Sequence, residues 1–272
     1  MKVVKIMFKQ HFGLKFNPFD KEIPTDKLYE SRDMKELDSR LKYMLDNRGI
    51  CLIVGEPGSG KSTGLRKFYE TMSRSLYKPC YLPLTTLTVK EFYQALAGLL
   101  GETPVYKKVT LFQQIQSSIS NLYFEKRITP VIIVDEIHMA PTSVLDDLRV
   151  IFNFKVDSAN PYVLILSGQP SIRSKLSLNS CYPLRQRITM RYSMQGLTPE
   201  ETASYCTSRM KLAGCTREVF TPAALAAIHT TSGGFPRSIN NVALTALMYS
   251  TAHKLDMVDE EAVYQANVET GV

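Results

Sequence analysis

Several features that would assign this chain of 272 residues to a specialised class are missing. The five cysteines (Cys51, Cys80, Cys181, Cys206 and Cys215) are odd in number, and no two have C-x-x-C spacing. That argues against a disulfide framework or a thiolate zinc site and fits a reducing compartment. The four histidines, His11, His138, His229 and His253, lie far apart and show no ligand spacing. No uninterrupted apolar run approaches the ~18 residues of a membrane span. Residues 1–16 carry Lys2, Lys5, Lys9 and Lys15 with short apolar breaks, so they lack the apolar region of a signal peptide. No internal repeat or low-complexity tract is visible. The expectation is a cytoplasmic protein with no membrane partner.

What is present is enough apolar material for a core, 44% of the chain, in a length that suits one large domain or two modest ones. The net charge of +7 is unevenly spread: residues 1–195 hold 28 basic and 18 acidic side chains, residues 196–272 hold 5 and 8. The larger part is therefore the better meeting surface for a polyanion. Residues 50–54, 80–84, 131–134 and 162–166 are short apolar runs of the kind buried on both faces of a parallel sheet. Helical spacing is found over 33–47, 62–73, 89–100, 111–124 and 143–152. This alternation predicts a doubly wound α/β layer.

After Ser193 the pattern becomes helical. Thr198-Pro199-Glu200-Glu201 reads as a capping box. Thr221-Pro222 opens a helix that Gly233-Gly234 closes, Pro236 opens another, and a fourth begins near Asp259. The predicted organisation is a nucleotide-binding core with an N-terminal arm over 1–195 and an all-helical lid over 196–272.

Gly55-Glu56-Pro57-Gly58-Ser59-Gly60-Lys61-Ser62 matches G-x-x-x-x-G-K-[ST] at every fixed position, between an apolar strand and a helix. Glycines let the backbone wrap phosphate oxygens with its N–H groups, and the helix adds its positive end. Lys61 neutralises the β- and γ-phosphates, and Ser62 ligates Mg²⁺. With Thr63 these residues are the candidate ATP contacts. The third strand ends in Asp135-Glu136, at the sheet edge where ligands bind. Asp135 is placed to hold Mg²⁺ through water, and Glu136 to polarise the attacking water. The second acid implies hydrolysis rather than binding alone, and the lack of an N-K-x-D segment disfavours GTP. His138 reads as a packing or switch residue rather than a base. Gln169, after the fourth strand, is placed to meet the attacking water or the γ-phosphate. Arg185 and Arg187 suit phosphate charge across a subunit interface, with a slight preference for Arg187. Arg237, next to Pro236 in the first turn of a helix, is unfavourable there unless an anion lies nearby.

Together the phosphate loop, V-D-E-I-H, S-G-Q-P-S-I, L-R-Q-R-I, L-T-P-E-E-T and G-G-F-P-R-S-I-N resemble, in the same order, AAA+ ATPases of the ExeA-like group. The likeness covers roughly residues 8–250. It implies a P-loop NTPase αβα core with a helical lid, ATP and Mg²⁺ as cofactors, and an oligomer in ring or helical form. It makes Lys61 and Ser62 the Walker A residues and Asp135 and Glu136 the Walker B residues. Gln169 becomes sensor 1, Arg237 sensor 2, and Arg185 or Arg187 the arginine finger. Phe16, Pro18, Phe19 and Tyr29 of the entry segment become candidate adenine neighbours. Within this group, the length, the lack of a membrane span and the basic core favour similarity to transposition ATPases of the MuB, TniB and TnsC type. Those bind double-stranded DNA without sequence preference and recruit a transposase. The segment 85–110, with Thr88, Lys90, Lys107, Lys108 and Thr110, then holds the candidate DNA contacts. The alternative is an assembly ATPase for a secretion or envelope complex without DNA. A DNA-bound loader of replication type is disfavoured because no winged-helix segment follows the lid.

Overall fold

The computed structural model describes residues 8–83, 87–155 and 158–271. Leu84 of the expected second strand, Thr85 at the start of the candidate DNA-facing segment, and Lys2 and Lys5 lie outside the described residues. The elements are α1 (Arg32–Asn47), β1 (Gly49–Val54), α2 (Lys61–Thr71), β2 (Tyr77–Pro83), α3 (Val89–Leu99), α4 (Lys108–Ser120), β3 (Thr129–Asp135) and α5 (Thr142–Ile151). They continue with β4 (Val163–Gly168), α6 (Ile172–Leu176), α7 (Tyr182–Arg187), β5 (Ile188–Ser193), α8 (Pro199–Leu212), α9 (Pro222–Ser232), α10 (Pro236–Ala252) and α11 (Glu260–Thr270). Among the described residues no helix is long and apolar enough to cross a membrane.

Among the described residues five strands form one parallel sheet in the order β2-β3-β4-β1-β5. Its three inner strands are buried almost end to end, which is why they read as unbroken apolar runs. Alternate residues serve opposite faces: Ile50, Leu52 and Val54 of β1 join one apolar cluster, Cys51 and Ile53 another. The edge strands are less legible. β2 starts at Tyr77, ahead of the expected Cys80, because an edge position tolerates Pro79 and Pro83. β5 is absent from the sequence reading, since its half-exposed pattern never forms an apolar run.

The chain divides into two compact units, one of Glu36–Glu56 and Lys61–Met194, the other of Met1–Lys35, Pro57–Gly60 and Gln195–Val272. The arm that sequence assigns to the core thus packs with the C-terminal helices. Phe8, Phe12, Leu14 and Phe19 share a core with Tyr205, Met210, Ile228, Val242 and Val263. Four large apolar side chains need such a core, and burial of each contributes roughly 1.5–3 kcal/mol. The buried Arg209 guanidinium donates to the carbonyls of Pro18 and Asp20, and Lys15 N donates to Ala213 O at 2.8 Å.

The predicted capping box forms at Thr198, with Glu201 reaching back to the Thr198 amide. Just upstream, the buried Asp33 carboxylate accepts from Gln195 N (2.6 Å) and Gly196 N (3.1 Å). Asp33→Ala leaves two amides without this acceptor. A loss of about 1–3 kcal/mol is expected, to be read from urea denaturation followed by circular dichroism.

Candidate nucleotide site

β1 delivers the chain to the phosphate loop. Gly58 (φ +83°) and Gly60 (φ +98°) take left-handed backbone that a side chain would strain. Lys61 opens α2, and its ammonium curls back to donate to Gly55 O (2.6 Å) and Glu56 O (2.9 Å). Lys61 is buried, so these carbonyls compensate its desolvation.

Next along α2, Ser62 Oγ donates to Asp135 Oδ2 at 2.9 Å. Tyr81, on β2, donates its hydroxyl to the same oxygen at 3.0 Å, and Glu136 N donates to Oδ1 at 3.0 Å. Asp135 is 2% exposed, and three donors fix its carboxylate. Burial, and then the neighbouring Asp135 and Glu136 carboxylates, push the Tyr81 phenol up to about 12, so it stays a donor at neutral pH.

These groups fit a magnesium ion. A hydroxyl and a carboxylate oxygen 2.9 Å apart are hard donors within reach of one small cation. Mg²⁺ takes few protein ligands and fills its shell with water and phosphate oxygens. The Ser62–Asp135 pair is a sparse protein ligand set of this kind. The ion, when bound, would neutralise phosphate charge. Tyr81→Phe removes one of the three donors that orient Asp135. About a tenfold rise in the Mg²⁺ needed for half-maximal hydrolysis is expected, by metal titration at saturating ATP.

Glu136 takes a left-handed backbone (φ 57°, ψ 34°), unusual for a residue with a side chain. Its carboxylate is half exposed, with Oε2 3.3 Å from His138 Nδ1. The backbone N–H of Gln169, just after β4, donates to the same ring nitrogen at 3.4 Å. Lys175 Nζ on α6 ties His138 O (2.6 Å) and Ala140 O (2.8 Å). Gly168 permits the approach: a Cβ there would lie 3.0 Å from Ile137 Cγ2 and 3.2 Å from His138 N.

The other candidates separate. In the first turn of α10, after Pro236, Arg237 N donates to Gly58 O at 3.3 Å. A Cβ on Gly58 would stand 2.7 Å from Arg237 Cβ. Arg187 is committed within its own chain: its guanidinium donates to Arg149 O and Phe152 O, both at 2.8 Å, where α5 ends. Arg185 instead lies over the Tyr182 ring at 5.2 Å, on a cleft of about 320 Å³ shared with Arg173 and Arg191. Phe19 is 4% exposed and meets Phe220 edge-on at 6.1 Å; its side chain packs a core rather than offering a face to adenine.

Of the five candidate DNA contacts, three have local tasks. Thr88 caps α3 with Glu91, Lys90 Nζ sits 3.4 Å from the Tyr106 ring centroid, and Lys108 pairs with Asp147 at 2.6 Å. Lys107 and Thr110 are exposed. Sequence reasoning missed Tyr81 and Lys175. Tyr81 reaches Asp135 only through the β2–β3 register, which pairs Pro83 with Asp135, and no local pattern encodes that.

Residues 44–176 match the AAA domain. The general secretion pathway protein A of Aeromonas hydrophila is 32% identical over 257 residues, spanning 92% of this chain and 46% of that protein. The chain thus spans about half the length of this relative. Among solved structures, Cdc6p of Pyrobaculum aerophilum superposes with a TM-score of 0.69 at 15% identity, covering 93% of this chain and 70% of that one. ORC2 of Aeropyrum pernix gives 0.67 at 17%, covering 93% and 71%. At such identities these two speak for the fold alone, a P-loop NTPase sheet of AAA+ type followed by a helical region. With the nucleotide loop, the paired carboxylates and the secretion-protein likeness taken together, the chain is an AAA-domain ATPase similar to general secretion pathway protein A.

Proposed function

We propose that this chain hydrolyses ATP to drive an assembly step of the kind served by ExeA-like ATPases, in a secretion or envelope complex, acting from the cytoplasm as a homo-oligomer. The carrying observation is the 32% identity to a secretion protein across nearly the whole chain. In this reading Lys61 and the amides of Gly55 to Thr63 hold the phosphates. Ser62 and Asp135 hold Mg²⁺, and Glu136 polarises the attacking water. Gln169 meets the γ-phosphate, Arg237 serves as an anion contact in its own unit, and Arg185 of a neighbouring copy completes the charge stabilisation. ATP favours assembly and hydrolysis favours release.

The test is light scattering with ATP and with ADP, alongside phosphate release, for the wild type, Arg185→Ala and Arg187→Ala. ATP is expected to enlarge the wild-type particle. Arg185→Ala should bind ATP and lose at least about tenfold in turnover. Arg187→Ala should lower the melting temperature, because the end of α5 loses its cap. A wild type that stays monomeric in ATP would refute the assembly reading.

The basic charge of residues 1–195 favours a second reading, a transposition regulator that coats double-stranded DNA and recruits a transposase. Its motivation is weakened by the local tasks of Thr88, Lys90 and Lys108. ATP-dependent retention on duplex DNA that fades as salt rises would favour this reading over the first.

A further inference from the structure

We infer that His138 is a positioning residue that governs Glu136 through a single ring nitrogen shared with the sensor strand. The inference rests on Glu136 being the water-polarising group. His138 Nδ1 has two neighbours of opposite demand: Glu136 Oε2 at 3.3 Å, which accepts, and the backbone N–H of Gln169 at 3.4 Å, which donates. In the ring plane that nitrogen carries either one lone pair or one hydrogen. It serves one neighbour at a time, and both distances are long for an N–H bond, as befits a contested atom.

Two arrangements follow. With its lone pair on Nδ1, the ring accepts from Gln169, and the Glu136 carboxylate meets a second lone pair and turns away toward water. With a hydrogen on Nδ1, the ring donates to Glu136 and holds its carboxylate back, and the Gln169 amide loses this acceptor. The charged groups facing His138 are the Glu136 carboxylate and, on α6, the Lys175 ammonium bound to its carbonyl. That lysine holds the His138 backbone, and the ring nitrogen lies against Gly168 at the end of β4. A displacement of Gln169 therefore changes how firmly Glu136 is held. A residue proposed to sense the γ-phosphate is thus wired to the residue proposed to attack through water.

The test compares two amides in the chain of 272 residues. The shorter amide of His138→Asn would reach the place of Nδ1, whereas His138→Gln puts its amide near Nε2 and leaves the Nδ1 position empty. His138→Gln is expected to raise kcat by about 3-fold to 10-fold, the rate equivalent of one released hydrogen bond, with KM for ATP unchanged. His138→Asn should stay near the wild-type rate. Glu136→Gln combined with His138→Gln should be inactive, because the gain runs through Glu136. Equal rates for the two amide variants, or a fall in kcat for His138→Gln, overturn the inference while an inactive Glu136→Gln leaves the ATPase assignment intact. A Glu136→Gln variant that turns over ATP at the wild-type rate removes the reading of Glu136 as well.

Discussion

Glu136→Gln is expected to bind ATP as the wild type does and to hydrolyse it about 100-fold to 1,000-fold more slowly. The amide keeps the shape of the side chain and loses its basicity. The neighbouring carboxylate is a poor substitute, because Asp135 is buried and its oxygens are occupied by Ser62, Tyr81 and the Glu136 amide. Glu136, by contrast, is half exposed and held out on left-handed backbone. Phosphate release and equilibrium binding of a fluorescent ATP analogue measure the two quantities separately. The same variant should accumulate whatever assembly ATP promotes. Turnover within about threefold of wild type would mean that another group handles the water.

Gly234→Ala is expected to cost about 3–5 kcal/mol and to melt the unit that contains the C-terminal helices. Gly234 is buried with φ +76°, and a Cβ there would lie 2.2 Å from Leu197 O. That oxygen belongs to a backbone held close by the bond from Leu197 N to Gly234 O at 2.8 Å, so it has no room to retreat. The neighbouring Gly233 is the control: it is exposed, caps α9 at φ +60°, and a Cβ would meet only the Phe235 ring at 3.5 Å. Gly233→Ala should cost about 1–2 kcal/mol, the penalty of left-handed backbone alone. Urea denaturation of both variants separates the two causes.

The phosphate loop and the carboxylate pair were legible because each is a local pattern: a strand, a glycine turn and a helix start, or an apolar run that ends in acids. β1, β3 and β4 were legible because burial on both faces leaves no polar residue to interrupt the run. The rest depended on distance in space. Nothing near Phe19 says that its partner is Phe220. Nothing near Arg187 says that it closes the end of α5, so an intrachain cap and an interface residue look alike in sequence. The glycine pair of G-G-F-P-R reads in sequence as a helix stop; the close packing of Gly234 on Leu197 appears only once both loops are folded.

The aromatic arm has a consequence for how the protein is made. Phe8, Phe12 and Phe19 leave the ribosome before any strand of the sheet, yet the helices that bury them are synthesised after all five strands. Until α8–α11 follow, those rings have no native partner, and the contacts that eventually cover them close some of the longest loops in the chain. Translation therefore carries a greasy segment past a unit that can already collapse around its sheet, and chaperone dependence should concentrate in that interval.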